Sequence, residues 1–248
     1  VQCPCILLQL IATGKPLSTA GMMIEDRTRT YTIAMERTVV PENFSFRMTD
    51  EEYRVLEKIK NSIPVCYLAD HADFALGIVT GNNKKFLSAE KTENSEMVLK
   101  GTDICKYHIN PVKQYLRFEP EQFQQVAPLE IYRAPEKLLY RFISNQLVVA
   151  YDDRQMLSLN SCNIVIPKID GMQIKYILAI LNSSVSQFVY QKEFHSIKVL
   201  RAHMEHIPIP RVGKAIQNEI IAMTEPLICG MGKEAAETCQ KRLDCRIM

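Results

Sequence analysis

No run in this 248-residue chain is long and apolar enough to cross a bilayer, which takes about 20 residues; the longest aliphatic stretches, such as Tyr176 to Leu181, fall far short. No membrane partner is therefore expected. The opening Val-Gln-Cys-Pro-Cys-Ile-Leu-Leu-Gln-Leu lacks an initiating methionine and a cationic segment before a long apolar core, so it does not read as a signal peptide. Its apolar start reads as a strand cut from a larger protein, and the chain is expected to be a fragment. Glycine is scarce, with 9 residues. Gly77-Ile-Val-Thr-Gly-Asn-Asn-Lys84 has a superficial phosphate-loop look, but Asn-Asn follows Gly81 where Lys-Ser/Thr is needed. The lysines lead into an apolar strand, so no helix N-terminus is expected there for a phosphate. Gly230-Met-Gly232 follows a helix and makes a poor dinucleotide fingerprint. There is no Gly-x-Ser-x-Gly elbow. Cys3 and Cys5 are one residue apart, and His203-Met-Glu-His206 lacks the His-Glu-x-x-His order. Neither a catalytic set nor a metal site is expected.

What is present is ordinary for a globular protein: 47% hydrophobic and 23% charged residues, enough chain for one to two domains. With 30 Lys and Arg against 28 Asp and Glu, the net charge of +2 identifies no partner. The stretch Gln191 to Lys214 is mildly basic, with Lys192, Lys198, Arg201, Arg211 and Lys214 against Glu193 and Glu205. On charge alone it reads as a solvated face. Eight scattered cysteines, several in apolar runs, suggest reduced, buried thiols and a cytoplasmic location.

Periodicity predicts a buried strand over residues 1–12 and one or two strands within 22–40. Thr49-Asp-Glu-Glu52 is a capping box, with Tyr53, Leu56 and Ile59 following at helical spacing and Pro64 ending the helix. Phe74 to Val79 reads as a short strand, Thr80 to Lys85 as a polar hairpin turn, and Phe86-Leu87 as renewed strand. Val98-Leu99 and residues 104–109 suggest further strand pieces, and 120–127 a short helix. Three β-rich runs, 138–143, 147–151 and 163–166, predict an antiparallel meander, with Asp152-Asp153 in a solvated turn. Gln173 to Leu181 reads as a helix, broken and recapped at Asn182-Ser-Ser184 into a second helix through Phe194. Ala215 to Ile228 is a last amphipathic helix. The fold class is α+β, with strands in the middle and helices at the end.

Two features bear on ligands. The turn Thr80 to Lys85 gathers two amides and two ammonium groups. Asparagine can pair with the N6/N7 edge of adenine and lysine can neutralise phosphate, although a solubilising turn explains the same residues. Arg133, Lys137 and Arg141 form the second set; positions four apart on a strand share a face, so Lys137 and Arg141 point the same way.

Four blocks carry a family resemblance: Ala72 to Phe86; Tyr132-Arg-Ala-Pro-Glu-Lys-Leu-Leu-Tyr-Arg-Phe-Ile143; Leu147-Val-Val-Ala-Tyr-Asp-Asp153 with Leu157-Ser-Leu-Asn-Ser161; and Tyr176 to Ser183 through Val199-Leu-Arg201 to Ile207-Pro-Ile-Pro210. Together they resemble the TaqI-like C-terminal specificity domain, over roughly residues 65–230. That domain follows the catalytic domain of N6-adenine DNA methyltransferases, including single-chain type II restriction-modification enzymes. The resemblance implies three regions: the end of a catalytic domain and a linker over 1–64, an antiparallel or mixed β-rich target-recognition domain over 65–212, and a helical segment over 213–248. It implies double-stranded DNA as partner, with a catalytic methyltransferase domain of the same parent chain beside it receiving the flipped adenine. The family's Asn/Asp-Pro-Pro-Tyr/Phe tetrapeptide and glycine-rich loop for S-adenosylmethionine are missing here; the chain has no Pro-Pro dipeptide. The fragment is thus expected to hold no cofactor and not to methylate alone, S-adenosylmethionine belonging to the parent, a site-specific adenine methyltransferase with or without endonuclease activity. The DNA-facing residues expected are Thr80, Asn82, Asn83, Lys84, Lys85, Arg133, Lys137 and Arg141, with Lys192, Lys198 and Arg201 on phosphates. Gly77 and Gly81 shape the loop. The competing expectations are a retained methyltransferase activity and a protein-interaction module whose helices dock a partner subunit.

Overall fold

The computed structural model describes residues 19–25, 28–37, 47–194 and 196–248. The chain divides into two compact units, Val1–Val55 and Leu56–Met248. In the first, β1 (Met22–Glu25) and β2 (Thr30–Ile33) form an antiparallel pair with Met22 opposite Ile33. The strand expected over 1–12 lies outside the described residues. Helix α1 (Asp50–Asn61) opens on the capping box read from sequence: the Glu52 amide donates to Thr49 Oγ1 at 3.2 Å, and the Thr49 amide to Glu52 Oε2 at 3.0 Å.

The second unit runs through β3 (Val65–Cys66), β4 (Ala72–Ala75), the one-turn α2 (Asn83–Phe86), β5 (Leu87–Ser88), β6 (Ser95–Leu99) and β7 (Tyr115–Arg117). It continues through α3 (Leu129–Tyr132), β8 (Lys137–Arg141), β9 (Val149–Asp152), β10 (Leu157–Ser158) and β11 (Cys162–Pro167). It closes with α4 (Ile174–Asn182), α5 (Ser184–Glu193), α6 (Arg201–Glu205), β12 (Ile209–Pro210), α7 (Lys214–Ile228) and α8 (Lys233–Ile247). This is the expected α+β class.

Two four-stranded sheets build the domain. One is antiparallel in the order β4-β11-β8-β9; the other is mixed, in the order β10-β6-β7-β5, with β10 parallel to β6. A short pair, β12 with β3, ties residues 209–210 back to 65–66. Register aligns Ala75, Ile164, Leu139 and Ala150 in one row across the first sheet. That row packs into a core with Val98, Leu99, Leu116 and Leu157 of the second sheet. The adjacent row, Phe74, Val165, Leu138 and Tyr151, points the other way by strand alternation. Helix α4 contacts β8, β9 and β11, and Lys175 of α4 lies 4.9 Å over the Tyr151 ring. Burial on both faces explains the unalternating apolar centres of these strands, Leu138-Leu139-Tyr140 in β8 and Ile164-Val165-Ile166 in β11.

The expected meander is corrected by this topology. β8 and β9 form a hairpin, but the third strand does not add beside β9. It lies on the far side of β8, and the connection to it first contributes β10 to the other sheet. The helix break is as read: Asn182 ends α4, and Ser183 caps α5 by accepting from the Ser186 amide at 3.1 Å. Beyond α7, Gly230 at φ +76° turns the chain into α8, which the apolar periodicity did not delineate. Glu219 and Arg246 pair the two helices with contacts of 2.7 Å. Cys66 and Cys162 are buried, but Cys229 and Cys245 are exposed, so the expectation of buried thiols holds only in part.

Candidate nucleic-acid interface

After β4 the chain threads between the two sheets. Gly77 passes so close to the β10–β11 connection that a Cβ there would lie 2.1 Å from the Leu159 carbonyl oxygen and 2.7 Å from that of Cys162 at the start of β11. Ile78 then bridges to Leu159, and Val79 exchanges backbone hydrogen bonds with Gln125 at 2.9 and 3.1 Å. The residues that follow do not form a hairpin tip. Gly81 takes φ +75°, a left-handed conformation that favours glycine, and Asn82 caps α2 by accepting from the Lys85 amide at 3.2 Å. Phe86 is buried at the end of the turn, edge-on to Phe123 at 5.2 Å, and Phe123 meets Phe118 at 5.8 Å. This aromatic cluster clamps the turn to residues 118–125.

The expected DNA-facing residues here divide. Thr80 is buried and donates its hydroxyl to Asn83 Oδ1 at 2.6 Å, so it belongs to the inside of the turn. Asn82, Asn83, Lys84 and Lys85 are exposed. Lys85 donates to Gln122 Oε1 at 2.7 Å and lies 4.7 Å over the Phe86 ring. Among the described residues Lys84 has no side-chain partner.

The second set is corrected outright for Lys137. Its side chain is fully buried, 2.6 Å from an equally buried Asp152 carboxylate, and donates to the Tyr132 carbonyl at 2.6 Å. Burial pushes the ammonium below the ordinary lysine range, and Asp152 opposes that shift. Asp152 also accepts from the Arg154 and Met156 amides at 2.9 and 3.0 Å. It is a buried strand residue, not part of the solvated turn expected. Arg141 turns inward to donate to the Ile104 carbonyl at 2.6 Å. Arg133 holds both oxygens of Glu96 at 2.7 Å and the Gln155 carbonyl at 2.8 Å. Burial takes Lys137 out of the DNA-facing set, whereas Arg133 and Arg141 are engaged within the domain and remain partly exposed.

The third set stays near the surface. Lys192, half-buried, lies 5.8 Å from the Phe188 ring, and exposed Lys198 is 5.9 Å from that of Phe142. Arg201 pairs with Glu205 at 2.7 Å and stacks over Phe74 of β4 at 5.2 Å. Residues 142–144 and 197–199 pair antiparallel with Ile143 opposite Lys198, and Ile143 and Ile197 are both exposed. Sequence reading missed Gln122, Gln124 and Gln125, which the Val79–Gln125 ladder brings to the Asn82 turn. The run Glu121-Gln-Phe-Gln-Gln125 was visible, but its partner lies some forty residues away in the chain. Among the described residues, no group of three His, Cys, Asp or Glu could hold a metal ion, and no helix is long and apolar enough to cross a membrane.

Residues 96–209 match the family model of the TaqI-like C-terminal specificity domain. The match bears out the resemblance across the second, third and fourth sequence blocks and leaves the first, residues 72–86, outside it. The geometry includes that block: β4 pairs with β11 and β5 with β7. The type IIL restriction-modification enzyme MmeI, solved in complex with DNA, is similar at TM-score 0.51 and 11% identity, over 73% of this chain and 33% of that one. A chain of a type I restriction-modification system aligns at TM-score 0.48 and 14% identity, over 79% of this chain and 50% of that one. The HsdS subunit from Thermoanaerobacter tengcongensis aligns at TM-score 0.41 and 12% identity, with the same two coverages. This chain thus spans a third to a half of those proteins. No curated protein matches it.

Proposed function

We propose, from the TaqI-like specificity domain matched by residues 96–209, that this chain recognises a DNA target for a restriction-modification system. In this reading it grips the duplex through the edge formed by residues 81–85 and 122–125. The observation that carries it is that edge: exposed Lys84 and exposed amides on a turn immobilised by Phe86 and Phe123. A rigid turn can hold polar side chains at a groove without a further ordering cost. Lys84 and Lys85 contact phosphate and fix register, and amides read base edges. Lys192, Lys198 and Arg201 add phosphate contacts. Acidic groups are near: Glu119 is engaged by Arg117, and Glu121 is exposed.

The finer part of the reading is an N6-adenine methyltransferase parent, whose catalytic domain receives a flipped adenine while this domain holds the duplex. Its support is the order and spacing of the four blocks. The residues of this chain do not fit S-adenosylmethionine, since the glycine-rich loop and the Asn-Pro-Pro-Tyr type tetrapeptide are both missing from it. The methyl-transfer chemistry therefore belongs to another domain or subunit, which we take to be the catalytic domain of the same parent chain.

The test is the double charge reversal K84E/K85E, with duplex affinity measured across salt concentrations. Each lost phosphate contact lowers the slope of log K against log salt by about 0.9, so a fall of roughly one to two units is expected. A second reading, a protein-docking module, has Ile143 and Ile197 in its favour, at 63% and 68% exposed. It predicts an affinity and a slope that ignore Lys84 and Lys85, and that result would overturn the DNA reading of this edge.

A further inference from the structure

The amides along this edge are not equivalent, and their hydrogen bonds sort them. A backbone N–H can only donate, so the Asn82 atom facing the Lys85 amide at 3.2 Å is Oδ1. Its Nδ2 is left pointing away, and Asn82 offers the solvent chiefly donors. Asn83 shares its Oδ1 with the Thr80 hydroxyl at 2.6 Å. Gln122 is engaged at both ends: Oε1 takes Lys85 Nζ at 2.7 Å, and Nε2 donates to Glu119 Oε2 at 2.8 Å. Gln124 and Gln125 are both exposed, and among the described residues neither side chain makes a hydrogen bond. Only these two keep a whole carboxamide, one donor and one acceptor in a plane.

Adenine is the base whose major-groove edge asks for that pairing, an acceptor for N6 and a donor for N7. Of the two glutamines, Gln125 is the ladder residue opposite Val79. Gln124 lies over the turn itself: a Cβ on Gly81 would stand 3.4 Å from Gln124 Cβ and 3.8 Å from its Oε1. Those are ordinary van der Waals separations, so the Gln124 side chain packs against the Gly81 turn and reaches the edge there.

We propose that Gln124 is the specificity-determining residue of this edge and selects an adenine in the recognised duplex. Its Oε1 accepts from N6 and its Nε2 donates to N7, with Lys84 on a neighbouring phosphate. The inference rests on the DNA-binding reading and deepens it by naming the base and the side chain that reads it.

Selection from a randomised duplex library with the whole chain, wild type beside Q124A and Q124E, tests it. The wild type is expected to enrich sequences with a fixed adenine. Q124A is expected to lose preference at that one position by roughly 5- to 150-fold, with preferences elsewhere, the salt slope and the thermal midpoint unchanged. Q124E presents acceptors only, and its preference at the same position is expected to move to cytosine, whose N4 amino group donates. Retention of the adenine preference by both variants overturns the inference while leaving DNA binding standing. Absence of duplex binding by the wild type overturns the DNA reading, and this inference with it.

Discussion

Replacing Lys137 with methionine separates a lysine that builds the fold from one that holds DNA. Methionine keeps most of the length of the side chain and removes its charge. What remains is the Asp152 carboxylate, fully buried, with two backbone amides but no cation. Removing one partner of a buried pair costs about 3–5 kcal/mol, because the other charge stays desolvated. For a unit spanning residues 56–248, each kcal/mol is worth about 2–4 °C. K137M is therefore expected to melt about 6–20 °C below the wild type in a calorimetric or circular-dichroism scan. The double variant K137M/D152N removes both charges yet keeps a carboxamide oxygen for a backbone amide, and should recover more than half of that loss. Below both transitions, the salt slope for duplex binding should be the same in K137M and wild type. An unchanged midpoint with a slope lowered by about one unit would instead place Lys137 on a phosphate and contradict its structural role.

Two further outcomes follow from the packing. His203 is stacked on Phe194 at 4.6 Å, and its Nδ1 accepts from the Leu200 amide at 3.2 Å, so the neutral ring is the one built in. Burial, helped by His206, holds it below its ordinary value near 6.5, against the Lys198 carbonyl. The unfolded chain then takes up the proton first, so stability rises with pH through the window below 6.5 and is lost as pH falls. An NMR titration of the ring with its midpoint above 6.5 would contradict this. Gly77→Ala puts a Cβ against backbone atoms of residues 159 and 162, at 2.1 to 2.7 Å, that cannot move aside alone. A loss of about 3 kcal/mol or more is expected in a denaturant melt, and a loss under 1 kcal/mol would show that the two segments can part there.

Local structure was legible where short-range chemistry decides it. The Thr49 capping box, the Ser183 recap between α4 and α5, and the doubly buried β8 and β11 all follow from residues within a few positions of one another. Strand order was not legible, because apolar runs name strands without naming partners. The alternation rule set Lys137 and Arg141 on one face, and they do share one; it is the face of Leu139, turned toward the second sheet. The sequence shows no difference between that face and a solvated one until Asp152 is known to stand opposite Lys137. Gln124 was out of reach for a similar reason. Its place at the edge comes from the ladder between Val79 and Gln125, which sets Gln124 over the Gly81 turn, a juxtaposition that periodicity does not encode.

In the proposed reading, the edge at residues 81–85 and 122–125 reads duplex DNA. The enrichment profile of the unmodified chain on randomised duplexes tests it most directly. A short recurring site containing a fixed adenine is expected, with binding that weakens steeply as salt rises. A profile indistinguishable from the starting library, or no retention of duplex at low salt, would contradict it.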